Sequence, residues 1–514
     1  MHFLSVDLKF QIRESANTDE IPVVLIAVDD ESIRQVGRWP WSREQIAALV
    51  DQAFLSGVKT LGFDIVFSEP QSHPWETIIQ RYNPPWKHEL IHPDQKLEDI
   101  FARHGSKIVL GVFPENKRDK VLPYQDYCRN EAFLAHNAST FVKLDNFSFV
   151  VLDHDDPFES IPFQNLFQPI FKALSQAALD KLQSSKTGDH SDTKNDSTLQ
   201  QLLLNYCEKW LTQEDPFLDI SQNFFSSLQP PITIEQFKTQ VKQYPIPQYD
   251  RWTINLERFH SQVLHSASFA AEQDSDGKIR RYPLFYRTGN RLGTSFVPSL
   301  ALQTYLNAHP NWQAQIHIVP DEKRIEQKKI ATMQIWDIHS NSQSHLIPTD
   351  PKGRLMINFY GPRYSFYYVP AYELLRHQPT MHVYRRSFSN KYDYLVESKM
   401  VEKQTFLKNK IAILGVTATA VYDLRVTPLD KTFPGPEIHV HALANLMENR
   451  YLTEPSQEEW LMPYLILFYG IIICCVFTFT GPIWNGITLI GCLLGIVGFD
   501  TYLFSQKGIV VTSI

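Results

Sequence analysis

Between Trp460 and Phe499 the chain contains no Asp, Glu, Lys or Arg. A run of about 40 uncharged residues is too long for one membrane crossing, which takes ~20. Gly481-Pro482 interrupts it near the middle. The pattern predicts two apolar helices, Met462–Phe479 and Trp484–Phe504, joined by a tight turn. A hairpin buried in a soluble core would carry one apolar stripe per helix. Here Ile, Leu, Phe, Cys and Gly surround the whole helix, as a lipid environment requires. After Ser505-Gln506-Lys507-Gly508 the sequence turns apolar again at Ile509-Val510-Val511, which reads as the opening of a third span. Met1-His2-Phe3-Leu4 is too short for a signal peptide or an anchor, so an upstream segment is expected.

The remaining body, residues 1–459, is polar and folded in character. The chain carries 49 Lys+Arg against 56 Asp+Glu, a formal net charge of -7. That balance argues against nucleic acid as the main partner, because phosphate binding needs a basic surface. Only Cys128 and Cys207 of the 5 cysteines fall in this body. They form no CxxC and have no nearby His pattern, so they suggest no zinc site. A Cys128–Cys207 disulfide and two separate thiols both remain open. There is no GxxxxGK[ST], GxSxG, HExxH or dinucleotide GxGxxG. The chain therefore reads as a non-enzyme with no cofactor.

The order of apolar runs indicates an α/β fold. Pro22–Val28 is continuous and β-branched, as in a strand buried on both faces. Trp41-Ser42-Arg43-Glu44 leads into a helix whose Ile46, Leu49, Val50, Ala53 and Phe54 recur at helical spacing, and Gly57 suits its end. Thr60–Phe67 and Ser106–Val112 are further strands. This βαβ order predicts a largely parallel sheet with flanking helices. From about 114 to 262 the pattern weakens into a large peripheral insertion, with Leu199–Leu211 as a helix and the polar Gln183–Thr198 as a solvated loop. Order returns with Ser266–Arg287, read as a hairpin turning at Asp274-Ser275-Asp276-Gly277. A helix at Ser295–Asn307, strands at Arg354–Tyr360 and Lys410–Val416, and a helix at His441–Asn449 follow. The chain then divides into a folded body, 1–459, and membrane helices, 460–514.

Several short motifs occur together in one order. They begin with Asp7, Phe10 and Arg13, then Asp29-Asp30-Glu31-Ser32 and Gly37-Arg38-Trp39-Pro40-Trp41-Ser42-Arg43. Gly62-Phe63-Asp64-Ile65-Val66-Phe67 with Glu69-Pro70 follows, then Asp274-Ser275-Asp276-Gly277 with Arg280-Arg281 and Pro283. Pro298-Ser299-Leu300-Ala301, Asn358-Phe359-Tyr360-Gly361-Pro362, and Ile413-Leu414-Gly415 through Asp423 to Thr427-Pro428 come next. Pro434-Gly435, Glu437-Ile438-His439 and His441-Ala442 close the set. In this order they resemble the CHASE2 family, an extracellular sensory domain of bacterial transmembrane receptors. The resemblance implies a sensor outside the cytoplasmic membrane, between an N-terminal anchor and commonly three C-terminal spans. It further implies a cytoplasmic output domain, most often a nucleotide cyclase, otherwise a kinase or diguanylate cyclase. The expected partners are the membrane, an unidentified small-molecule or physical stimulus, and a second copy of the chain as a homodimer. The departures are the long insertion, the missing N-terminal anchor and the incomplete third span. No ligand follows from the resemblance.

Candidate chemistry gathers at the strand ends. Ligands of parallel α/β sheets bind at the carboxyl ends of strands. Asp29, Asp30, Asp64 and Glu69 follow the first two strands, with Arg38, Trp41 and Arg43 on the loop before the first long helix and Asp423 after a later strand. These could line a small-molecule or hard-cation pocket; equally, they could cap loops and pair internally. Trp41 is expected to be buried and Arg43 to lie beside Asp29, Asp30 or Asp64. His439 and His441 would share a face if they lay in a strand, but a metal needs a third ligand. Asp274 and Asp276 resemble the opening of an EF-hand loop. No Glu stands at its twelfth position, so a turn is the better reading. An extracytoplasmic enzyme using the acidic cluster is the competing function.

Overall fold

The computed structural model describes residues 2–72, 93–115, 147–151, 248–249, 252–290, 293–320, 328–337, 340–387, 395–419, 424–454, 458–479 and 481–510. Its centre is a nine-stranded sheet. The strands are β1 (Val23–Val28), β2 (Thr60–Phe63), β3 (Ile108–Pro114), β4 (Trp252–Thr253), β5 (His265–Ser268), β6 (Tyr368–Pro370), β7 (Thr380–Arg386), β8 (Val396–Glu402) and β9 (Ile411–Val416). They run in the order β8-β7-β6-β1-β9-β2-β3, with β4 and β5 both pairing β3. The strands from β6 through β3 to β5 are mutually parallel. β7 and β8 on one margin and β4 on the other are antiparallel. The sheet is therefore mixed, and the expected largely parallel sheet is its centre only. Parallel strands need covered faces, whereas the margins can be built from short local returns.

β1 shows how the sheet is sandwiched. Val24, Ile26 and Val28 enter one hydrophobic cluster, with Ile46, Leu49 and Val50 of α3 (Arg43–Leu55) and Leu97 and Phe101 of α4 (Gln95–His104). Val23, Leu25 and Ala27 enter the other, with α5 (Leu300–Ala308) and α6 (Gly435–Glu448). α1 (His2–Ile12) joins the second layer through Val6 and Phe10, while α2 (Asp30–Val36) follows β1 directly. α3 begins with a capping box in which Ser42 and Gln45 satisfy each other's backbone N–H. It ends at Gly57, whose φ of +97 favours glycine.

Several expected elements shift. Ser295–Pro298 lies in a strand, Gly293–Pro298, and the helix starts at Leu300. The Asp274–Gly277 turn forms, but it joins β5 to Arg281–Pro283, which pairs Arg354–Met356 in a separate two-stranded sheet, so there is no hairpin. The stretch 252–262, read as the tail of the insertion, is built into the body. Asn255 accepts from Phe67 N and donates to Gly111 O, both at 2.8 Å, and Phe259 is fully buried. Leu199–Leu211, Gln183–Thr198 and Cys128–Cys207 lie outside the described residues.

At the C-terminus, α7 (Glu458–Phe479) and α8 (Pro482–Tyr502) pack as a helical hairpin. Among the described residues one helical stretch, Pro482–Lys507, is long and apolar enough to cross a membrane, and the apolar stretch Leu467–Phe479 within α7 is shorter. Among the described residues the expectation of two complete spans is thus met by one. Only 6 % of the apolar window in Pro482–Lys507 is buried inside the protein, so its side chains need a non-aqueous surrounding. Ile509 and Val510, expected to open a third span, instead return to the body. Ile509 bridges Thr453, Val510 N donates to Thr453 O at 2.9 Å, and Val510 is fully buried.

Candidate functional site

The carboxyl edge of the sheet does bring Asp29, Asp30 and Asp64 to one side of the molecule, where Asp29 and Asp30 are held by hydrogen bonds. Asp29 caps α2 by accepting from Ser32 N at 2.7 Å and also accepts from the Tyr384 hydroxyl at 2.8 Å. Asp30, exposed, accepts from Thr419 N and Oγ1 at 3.1 and 2.9 Å. Asp64 faces His439 Nε2 at 3.8 Å. Beside it, Gly415 of β9 lies close against α6: a Cβ there would meet Pro436 at 2.4 Å and the Asp64 side chain at 3.3 Å. Arg38 and Glu69 are exposed, and Asp423 lies outside the described residues.

Arg43 goes elsewhere. Its Nε lies 3.4 Å from Asp94 Oδ1, its Nη2 donates to Glu69 O at 2.9 Å, and its guanidinium covers the Phe67 ring at 4.7 Å. Asp94 is fully buried and also accepts from Gln71 N. Burial lowers the Arg43 pKa, and Asp94 opposes that shift. The expected partners Asp29, Asp30 and Asp64 are therefore replaced by a carboxylate at the start of α4. Trp41 is 4 % exposed, as expected; its Nε1 donates to Gly37 O and its ring meets Trp39 edge-on.

α6 is the polar spine of the second layer. His439 and His441 lie in this helix, not in a strand, so they point to different surroundings. The Tyr282 hydroxyl sits 2.6 Å from His439 Nδ1 while accepting from Ala301 N at 3.2 Å. That arrangement has Tyr282 donating to Nδ1, and the ring also hydrogen-bonds the Phe269 backbone. Burial pushes the His439 pKa down to about 3. His441 Nδ1 accepts from Tyr360 N at 3.2 Å, and burial lowers its pKa too. Glu437 accepts from Tyr364 N, Ser365 N and the Tyr368 hydroxyl. Asn445 exchanges two bonds with the Asn358 backbone. These bonds fix one packing geometry, and among these groups only His441 Nε2 stands buried without a hydrogen bond.

A second polar cluster stands at the foot of the hairpin. Arg280, 1 % exposed, binds both Asp7 oxygens at 2.8 and 2.9 Å, Asp276 at 2.7 and 2.8 Å and Asp274 at 3.3 Å. Arg281 reaches Asp274 at 3.1 Å and Glu454, just before α7, at 2.7 Å. The Asp274–Gly277 turn thus aims its carboxylates at arginines. Nearby, Lys9 pairs with Asp500 at 2.7 Å, and Phe10 meets Phe504 edge-on at 5.0 Å. Arg280-Arg281 and Asp7 were visible in the sequence as motif residues; their convergence was not, because 273 positions separate Asp7 from Arg280.

A family model described as the CHASE2 domain matches residues 1–480. The chain belongs to the CHASE2 family. CHASE2 is a sensory domain of signalling receptors, lying outside the cytoplasm. The match covers the mixed sheet, both helical layers and α7, whereas α8 lies beyond it. No curated protein and no solved structure matches this CHASE2 chain.

Proposed function

We propose that this chain is the extracytoplasmic sensor and membrane region of a bacterial multi-pass receptor, itself without catalytic activity. It relays a small-molecule or physical stimulus to a cytoplasmic output domain. A nucleotide cyclase is the first expectation for that domain, and a kinase or diguanylate cyclase the alternative. The observation that carries this reading is the return of residues 503–510 to the sensor. Phe504 and Val510 are fully buried in the same hydrophobic cluster as β1 and α6, and Thr453 N donates to Gly508 O at 2.8 Å. Both ends of the apolar hairpin are therefore fastened to the sensory body. A hairpin with both feet on one side fits an out-in-out path, and a cytoplasmic output domain then requires a further crossing beyond Val510.

Cysteine labelling with a membrane-impermeant reagent tests this in intact cells, with the unsubstituted chain setting the background. Ser456→Cys should react from outside, and Asn485→Cys only after the cytoplasmic side is opened. Reaction of Ser456→Cys only from the cytoplasmic side overturns the reading.

A further inference from the structure

β8 is the outer strand of the nine-stranded sheet, pairing β7 alone among the described strands. Natural sheets keep such edges short, bulged or covered, because a free edge templates pairing with another chain. This edge is seven residues long and almost wholly exposed. It also carries apolar side chains: Leu395 is 62 % exposed, Val396 45 % and Met400 60 %.

The order of residues along the strand is self-complementary. When β8 is laid antiparallel on a second β8 about Ser398, Glu397 falls opposite Lys399, Val396 opposite Met400 and Leu395 opposite Val401. Opposite charges meet, and apolar residues meet apolar residues. A shift of one residue would bring Lys399 opposite Ser398 and lose the ion pairs, so the sequence favours one register.

The backbone has the matching parity. Ser387 N donates to Leu395 O at 2.9 Å and Lys403 N to Pro379 O at 2.8 Å, in line with the β7–β8 register. The odd-numbered residues of β8 thus direct their backbone groups to β7. Val396, Ser398 and Met400 direct theirs outward. Those are the residues that the Ser398-centred register makes into hydrogen-bonded pairs, Ser398 with Ser398 and Val396 with Met400.

We infer that β8 is a homodimerisation edge, joining the sheets of two copies of this chain into one continuous antiparallel junction centred on Ser398. The pairing is read from one strand and does not depend on the receptor reading. Its symmetry agrees with that reading. The two-fold axis of an edge-to-edge junction runs through the sheet, so both copies keep the layer of α1, α5 and α6, which receives Phe504 and Val510, on the same side. Two chains anchored in one membrane need this. A single strand pair is a small contact, and anchoring raises the effective concentration at which it operates.

Oxidative cross-linking of the full chain in membranes tests the inference. Facing Cα atoms of a hydrogen-bonded antiparallel pair stand ~5.5 Å apart, within the range a disulfide spans. Ser398→Cys should give cross-linked dimer several-fold above the unsubstituted chain and above Glu402→Cys on the same strand. Glu397→Lys should reduce the Ser398→Cys cross-link several-fold, and adding Lys399→Glu should restore it. All these side chains are exposed, so the substitutions leave the core intact. A Ser398→Cys yield no higher than Glu402→Cys overturns the inference, as does a Glu397→Lys loss that Lys399→Glu fails to rescue. Neither result bears on the topology measured by labelling Ser456→Cys.

Discussion

Replacing Arg280 by Met should destabilise the sensor by about 3 kcal/mol. Breaking a buried ion pair by removing one partner costs ~3–5 kcal/mol, because the remaining charge stays buried without compensation. Asp7 is 4 % and Asp274 9 % exposed, so both would remain desolvated. Lys278 still stands 2.5 Å from Asp7, and Arg281 3.1 Å from Asp274, which places the cost at the lower end of that range. Arg34→Met is the control. Its pair with Glu31 is exposed, and such pairs contribute ~0–1 kcal/mol. Urea unfolding of the detergent-solubilised full chain measures both variants. The acid limb gives a second readout. Hydrogen bonds from Arg280 hold the Asp276 carboxyl down to about 2. A carboxylate with a depressed folded-state pKa adds stability above its unfolded pKa of ~3.9 and loses it as pH falls through the folded value. The parent should therefore lose this contribution progressively as pH falls from ~3.9 to about 2, and Arg280→Met should lack that part of the acid slope. A loss under ~1 kcal/mol, no larger than that of Arg34→Met, would refute the reasoning, since water would then already compensate the carboxylates.

Two further outcomes follow from the buried polar groups. Arg43→Gln should cost about 3 kcal/mol in the same urea assay, because fully buried Asp94 would lose its nearer guanidinium and retain the more distant Arg258, 3.9 Å away, and the Gln71 N–H; a loss below ~1 kcal/mol would show that Arg43 contributes packing alone. His439 is held neutral by burial, with a pKa down to about 3, so the unfolded chain binds more protons below ~6.5 and stability should fall as pH drops through that window toward about 3. His439→Phe should flatten this slope, leaving the part due to His441 and the other histidines that burial lowers, and an unchanged slope would mean that His439 does not titrate with unfolding.

What could be read from the sequence was local. β1, α3 and β9 announced themselves because a strand buried on both faces and a capped amphipathic helix each leave a pattern within ten or fifteen residues. Gly435–Glu448 hid its start. Pro434-Gly435-Pro436 suggests a loop, and Glu437, His439 and His441 look like surface or ligand residues until their partners Tyr368, Tyr282 and Tyr360 are known. The strand-end site was legible in part. Position placed Asp29, Asp30 and Asp64 at one edge, but what each of them meets there depends on Tyr384, Thr419 and His439, brought from distant segments. Arg43 was misassigned for the same reason: proximity along βαβ favoured the strand-end carboxylates, while the fold supplies Asp94 from α4. The mixed margins of the sheet were also hidden, since Val396–Glu402 is too polar to read as a strand until it is seen as an edge.

Under the receptor reading, α1 is the element through which a change in the sensor would reach the membrane. Its Asp7 is fixed to Arg280, Lys9 to Asp500, and Phe10 packs between Phe359 and Phe504. Just past its end, Arg13 donates to Asn358 Oδ1, which ties it to the strand-and-helix layer through Asn445. One short helix thus touches the buried ionic cluster, the second hydrophobic layer and the foot of α8. Allosteric couplings amount to about 1–3 kcal/mol, roughly the scale of losing or gaining one buried ionic contact. A stimulus that favours one arrangement of Arg280 and its carboxylates by that amount would shift α1 between two packings, and Asp500 and Phe504 would move with it. A stimulus that binds both arrangements equally would move nothing, however tightly it bound. The decisive residues for signalling are therefore those whose partners differ between the two packings, and the contacts of Asp7 and Lys9 are the first places where such a difference would register.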